Sequence, residues 1–387
     1  MSQFRYWFPV FLIFVAFSMN SAAAQATHYL VTNDDVVGAN TATFYTLGGT
    51  PANPTLTQLA VVPTGGKGHG GGYFATPGVG VLRNPRAQCV YVTDSNSSDV
   101  TGIDLRTLTA TGNFKGSRQD SGGLIGIGMV MNDQYLYVSF TGTFTIGAFQ
   151  VMPGCTLQFL GDIDAIGQGL GSVDGMAIRG NLLVVAYADS TIESFDISSG
   201  LPVPNGDRML STGSKNGNLP AGVDITQDGH FAIFGDISLG TVVEVSDISS
   251  GKLTPTVVYT LGAAAEANDV FLSPDESLLY VANNKGGTVT AALFDKASGV
   301  VSPGCASPTL RGFNTKWTYT AGLATAMNTG TGQVLYVAEE GTQSGIGLVS
   351  IAVGGGSCRL TETPSSPVHD VNSRALHQLQ SYPPRSF

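Results

Sequence analysis

An imidazole, a guanidinium and a carboxyl group stand out in this sequence because together they could run ester chemistry. His69 can take a proton from an attacking water, Arg118 can stabilise the oxyanion that forms, and Glu266 can return a proton to the leaving oxygen. Around them in the chain are Lys67, Asp120, Asn268, Asp269, Lys316, Trp317 and Tyr319, whose charges and flat rings suit ligand binding. All lie in polar stretches between apolar runs. Because polar residues also cover any solvated loop, the catalytic reading requires these side chains to converge on one volume.

Other motifs carry less. Gly66-Lys67-Gly68-His69-Gly70-Gly71 matches G-x-G-x-x-G, but no helix-forming run follows it, so it reads as a loop rather than a phosphate cradle. Asp162-Ile163-Asp164 opens like a calcium loop without the remaining ligands; a monodentate Ca2+ contact at Asp162 and Asp164 is the most it implies, and no other cofactor is expected. No Gly-x-Ser-x-Gly occurs, which removes the nucleophile-elbow hydrolases.

What must position these residues is a repeat. Seven short runs rich in β-branched and aromatic residues recur along the chain, centred on Leu30, Tyr91, Tyr137, Val184, Ile233, Tyr280 and Tyr336. Each is followed by a polar turn and a second alternating run. The sixth copy is the clearest: Asn268 to Leu272, a Ser-Pro-Asp hairpin, Leu278 to Asn283, then Thr288 to Asp295. A repeat of this length holds four short strands, which is one propeller blade, and a lone twisted sheet leaves two apolar faces wet. The expectation is an all-β, seven-bladed β-propeller of four-stranded antiparallel blades closed into a single domain over residues 27–364. The first copy starts at its second strand. Its inner strand is expected from the C-terminal segment, residues 365–387, around Pro367 to Val371, unless that segment is a tail.

Arg5, the apolar stretch Trp7 to Phe17 and the small residues Ala22 to Ala26 read as a secretory signal peptide over 1–26. The apolar stretch is too short for a comfortable membrane span. A secreted protein, periplasmic or extracellular, is therefore expected. Its four cysteines suit two disulfides. Of three possible connectivities, Cys89 with Cys155 and Cys305 with Cys358 are favoured, since each joins adjacent blades. The net charge of -10 disfavours nucleic acid as a partner.

The Pro-Asp or Asp-Gly hairpin, the Leu-Leu-Tyr-Val-Ala-Asn strand at 278–283, the Gly-Thr-Val strand and the Asp-x-x-Ser-Gly turn resemble YVTN-type β-propeller repeats. These overlap with the seven-bladed lactonase family, which includes 6-phosphogluconolactonase-like proteins. The resemblance implies His, Arg and Glu side chains gathered at the mouth of the central channel, the role open to His69, Arg118 and Glu266. This chain differs in having five His and no paired His ahead of an inner strand. Val79-Gly80, Ile125-Gly126, Ala221-Gly222 and Ala321-Gly322 align with Asn268-Asp269. The expected function is a rigid, monomeric binding module for a protein or carbohydrate ligand. The alternative is a lactonase-like hydrolase or isomerase.

Overall fold

The computed structural model describes residues 28–70, 79–81, 88–116, 126–140, 142–165, 173–211, 219–237, 240–263, 266–312, 319–326, 333–340, 345–354, 357–369 and 379–382. The leader expected at 1–26 lies outside them, as do Arg118, Asp120, Lys316 and Trp317. The described strands form seven antiparallel sheets.

Blade 1 contributes Tyr29–Asn33 (β1), Thr41–Thr50 (β2) and Asn53–Pro63 (β3). Blade 2 is Val79–Val81 (β4), Cys89–Asp94 (β5), Asp99–Asp104 (β6) and Thr109–Lys115 (β7); blade 3 is Gly126–Met131 (β8), Tyr135–Phe140 (β9), Thr145–Met152 (β10) and Thr156–Asp164 (β11). Blade 4 has Val173–Arg179 (β12), Leu182–Tyr187 (β13) and Thr191–Asp196 (β14), with an outer edge split into Val203–Pro204 (β15) and Met209–Leu210 (β16). Blade 5 is Leu219–Ile225 (β17), Phe231–Ile237 (β18), Thr241–Asp247 (β19) and Val257–Gly262 (β20); blade 6 is Ala267–Leu272 (β21), Leu278–Asn283 (β22), Thr288–Asp295 (β23) and Val300–Ala306 (β24). Blade 7 is Tyr319–Ala326 (β25), Gln333–Glu340 (β26), Gly345–Gly354 (β27) and Ser357–Glu362 (β28), followed by Val368–His369 (β29) and Leu379–Tyr382 (β30).

Each second strand is almost wholly buried, because both its faces meet a neighbouring blade. Successive residues along it pack alternately forward and back. Cys89 and Tyr91 of blade 2 meet Leu136, Val138 and Phe140 of blade 3, and Tyr137 of blade 3 meets Leu183, Val185 and Tyr187 of blade 4. At about 1.5–3 kcal/mol for each large apolar side chain buried, these junctions hold most of the stability.

Blade 1 corrects the alignment of the repeats. Val31 packs forward onto Val90 and Val92, whereas Leu30 packs back onto Tyr336, and the Asp34 amide pairs with the Thr41 carbonyl. Val31 rather than Leu30 therefore matches Tyr91, and Asp34 matches Asp94. Strand side chains alternate, so the slip of one residue exchanges the two faces.

The ring closes through β30, which pairs with β1 from Tyr29↔Tyr382 to Thr32↔Leu379 and so supplies the missing inner strand of blade 1. The closing strand is thus residues 379–382 and not the expected 367–371. The first residues of β27 extend past the pairing with β28, and β29 covers that open edge through Gly345↔His369 and Ile346↔Val368.

The disulfides are Cys89–Cys155, with Cα atoms 5.4 Å apart, and Cys305–Cys358, with Cα atoms 5.5 Å apart. Each crosses between adjacent blades, as expected. Cys305 lies near the end of β24.

Deleting residues 379–387 removes the strand that joins first and last blades, together with the buried Leu379. Four ladder positions and one leucine are worth roughly 3–6 kcal/mol, so the truncated protein should unfold at markedly lower urea concentration. An unchanged midpoint would show that the ring holds without this strand.

Candidate functional site

The chain enters each inner strand by a link from the preceding outer strand. The described ends of the outer strands and starts of the inner strands share one face of the ring, the link face, with the turns between second and third strands. Hairpins between inner and second strands occupy the opposite, hairpin face. The link face surrounds the channel mouth, where open propellers place ligands.

At the link face every second strand ends in a residue directed at the preceding blade: Asp34, Asp94, Phe140, Tyr187, Asp236, Asn283 and Glu339, all buried. Diagonal to each across the ladder, two residues beyond the position directly opposite, stands a third-strand residue: Thr43, Thr101, Gly147, Glu193, Glu244, Thr290 and Gly347. Four of the pairs are hydrogen-bonded and two set a bulky side chain against glycine. Thr43 donates to Asp34 at 2.7 Å, Thr101 to Asp94 at 2.6 Å and Asn283 to Thr290 at 2.9 Å, while Tyr187 donates to Glu193 at 3.1 Å. Glycine stands opposite the bulky members: a Cβ on Gly147 would lie 2.7 Å from the Phe140 ring, and one on Gly347 2.6 Å from a Glu339 oxygen.

Between blades 1 and 2 this polar junction organises a link. Asp94 accepts from Thr64 (2.6 Å), Asn40 (2.9 Å) and Thr101 (2.6 Å), which spans the exit of blade 1 and the third strand of blade 2. Burial pushes the Asp94 carboxyl up to about 7, against the hydrogen bonds from Thr101, Thr64 and Asn40 that favour its ionised form. The buried Asp35 carboxylate then accepts from the backbone amides of His69 (2.8 Å) and Gly70 (2.9 Å) and from the Ser95 hydroxyl (2.5 Å). Ser97 accepts from the Lys67 amide at 2.8 Å, and the Gly68 amide reaches the Val36 carbonyl at 3.0 Å. Residues 64–70 thus form a finger whose backbone is fixed and whose Lys67 and His69 side chains are exposed.

Glu266 enters blade 6 on a different link. It is partly buried, forms an ion pair with Lys285 and accepts from the Asn284 amide at 3.3 Å. Its φ of 61° places the backbone in the left-handed region. No hydrogen bond or ion pair joins it to His69 among the described residues. Asn268 and Asp269 follow in β21, where Asn268 is the bulged residue between Ala267 and Asp269. In blade 4 the same bulge, between Val173 and Gly175, carries Asp174. Asp174-Gly175 is therefore the partner of Asn268-Asp269 in that blade, an acid on the inner strand that the repeat pattern did not mark. Its signal was an acid–glycine pair just ahead of a methionine-initiated apolar run. Tyr319 opens β25. Asp162 and Asp164 lie two apart on the outer strand β11, opposite Gly147 and Thr145. Among the described residues no three His, Cys, Asp or Glu side chains gather as a metal site.

Blade 4 adds a cluster with no counterpart in the sequence reading. The Arg208 guanidinium lies 4.6 Å over the Tyr187 ring and 3.8 Å from both Asp189 and Glu193. Burial raises the Glu193 carboxyl, opposed by the Tyr187 hydroxyl and by Arg208.

No protein-family model and no curated protein matches this chain. Solved structures do. A Bacteroides fragilis protein provisionally assigned as a 6-phosphogluconolactonase is 16% identical over 92% of this chain and 98% of its own, with a TM-score of 0.67. A Bacteroides uniformis protein with the same provisional assignment is 13% identical over 92% and 99%, TM-score 0.65. The periplasmic gluconolactonase of Pseudomonas aeruginosa is 16% identical over 71% and 80%, TM-score 0.53. At these identities the likeness establishes the fold, a lactonase-like seven-bladed propeller.

Glu339 yields a pH prediction. It is buried, and neither carboxyl oxygen takes a hydrogen bond among the described residues. Burial and the neighbouring Glu362 charge push it up to about 8, with Arg311 opposing. The unfolded chain releases this proton near pH 4.3, so between about pH 4.3 and 8 the folded state binds more protons and stability falls as pH rises, at most about 1.4 kcal/mol per unit. Glu339→Gln should match the wild-type Tm near pH 4.5 and exceed it progressively up to pH 8. Parallel Tm curves for the two proteins would show that Glu339 is not held protonated.

Proposed function

We propose that this protein is a rigid, exported binding module that uses its link face to hold a protein or carbohydrate ligand. The observation that supports this most directly is the fixed finger at 64–70, whose backbone amides are consumed by Asp35, Ser95 and Ser97 while Lys67 and His69 project outward. A cation and an imidazole held on a preorganised backbone lose little entropy on binding, which is the main cost a rigid platform avoids. Two disulfides between blades fit a protein working in an oxidising compartment, periplasmic or extracellular.

A second reading draws on the shared fold with gluconolactonases. His69 would deprotonate a water that attacks a lactone carbonyl, Arg118 would stabilise the oxyanion, and Glu266 would protonate the ring oxygen as the C–O bond breaks. The Glu266–Lys285 ion pair argues against this assignment, because it engages the carboxylate elsewhere. A calcium ion at Asp162 and Asp164 would show as a calcium-dependent rise in Tm.

Purified protein should retain a ligand from a glycan array or a protein extract, and Lys67→Ala/His69→Ala should weaken that retention about tenfold with unchanged Tm. Turnover of glucono- or phosphogluconolactone above the buffer rate, lost a hundredfold or more in His69→Ala, would replace this reading with the hydrolase.

A further inference from the structure

On the hairpin face, the residue that opens the second strand of blades 1, 2, 3 and 5 reaches forward to the turn between third and outer strands of the next blade. Tyr29 packs with Leu105 and Leu108 between blades 1 and 2, and Cys89 is bonded to Cys155 between blades 2 and 3. Between blades 3 and 4 the Tyr135 ring lies on Gly200, where a Cβ would stand 2.7 Å from the ring; between blades 5 and 6 Phe231 lies on Gly299 at the same 2.7 Å. Blade 4 puts Leu182 in this position. The facing glycine of blade 5, Gly251, has nothing within 4 Å of its missing Cβ. The result is a groove of about 380 Å³ between blades 4 and 5. It has the volume of a small-molecule site.

Two hydrogen bonds across the junction bracket the groove. At its inner end Arg179 donates to the Gln227 carbonyl, and at its outer end Asn205 donates to the Gly251 carbonyl at 3.3 Å. Its floor lies between two copies of one turn, Asp196-Ile197-Ser198-Ser199-Gly200 and Asp247-Ile248-Ser249-Ser250-Gly251. Both turns are locked, by Ser198 on Asp196 and by Ser249 on Asp247. The walls therefore cannot close to fill the space. Leu182 and Ile248 give the groove an apolar floor, while Arg179, Asn181, Asp196 and Asn205 give it a polar rim with one positive and one negative charge.

We propose that this groove is a saccharide-binding site that receives one pyranose ring. A pyranose has a flat C–H face for Leu182 and Ile248, and hydroxyls that both donate and accept at a rim with no net charge. An aromatic ring would match the floor but leave the rim's polar groups unused. An ionic ligand would gain from one rim charge and lose to the other. The site is on the face opposite Lys67 and His69 and is independent of the function proposed for them.

The test uses ligand-observed NMR with methyl pyranosides of glucose, galactose, mannose and N-acetylglucosamine. At least one should bind wild-type protein at millimolar Kd or tighter. Leu182→Tyr restores the residue found in blade 3, so it should keep or raise Tm and abolish binding. Asn181→Ala, at an exposed turn position, should weaken binding at least threefold and decides the matter if the tyrosine variant does not fold. Failure of every pyranoside to bind, undiminished binding by both variants, or displacement of the sugar signal by N-acetyl-tyrosinamide as the tighter ligand would overturn the proposal.

Discussion

The structure depends on how each blade is keyed to the one before it at the end of its second strand. A twisted four-stranded sheet can stack on its neighbour over a range of offsets, because dispersion between flat apolar faces is not directional. The buried terminal residue of the second strand and its third-strand partner remove that freedom. Asp94 must reach Thr64 and Thr101 together, and Phe140 fits only where Gly147 leaves room. A hydrogen-bonding pair and a ring-on-glycine pair solve the same geometric problem by different chemistry. Blade 7 takes an intermediate course: Glu339 is placed like Asp94 but sits against glycine, and burial pushes its carboxyl up to about 8.

The same keys govern the link face and hence the site. Thr64, which donates to Asp94, is the first residue of the finger that carries Lys67 and His69. The stacking order of blades 1 and 2 and the position of the finger are thus one arrangement. Asp35 extends it, reaching across to the His69 and Gly70 amides from the turn of blade 1. Binding residues on such a finger inherit the rigidity of the core although they lie in a loop.

The seven-bladed plan was legible because burial on both faces forces each second strand into a run of apolar residues that cannot be mistaken for an amphipathic one. Both disulfide pairings were legible for a related reason, since only adjacent blades bring cysteines close enough to bond. Register in blade 1 was not. Tyr29-Leu30-Val31 is apolar throughout, so no alternation marks which face is which, and only packing on Tyr336 and Val90 decides it. The closing strand was missed for want of contrast: Leu379–Tyr382 offers a single buried leucine, whereas Val368–His369 looks more strand-like and serves to cover β27 instead. Within the site, the exposed Lys67 and His69 were visible as polar loop residues. Asp35, which holds them, was not, because an acidic pair in a turn has no pattern that separates a solvated carboxylate from a buried anchor.

Link and hairpin faces differ in what a change of residue does. On the link face each key has several members, so one substitution leaves a partner unsatisfied and costs a buried polar group. On the hairpin face a single ring fills the junctions after blades 3 and 5, and its replacement by a shorter side chain leaves space without breaking a hydrogen bond. Leu182 is such a replacement, and the ties from Arg179 and Asn205 keep its junction from collapsing. A propeller can therefore gain a groove on this face at the cost of one aromatic ring's contacts, while the keys on the opposite face hold the blades in order. Cavities in this architecture should arise where the repeat substitutes small for large beneath an intact key, and the junction between blades 4 and 5 satisfies both conditions: Glu244, buried in blade 5, still takes the Ser211 and Thr256 hydroxyls above it.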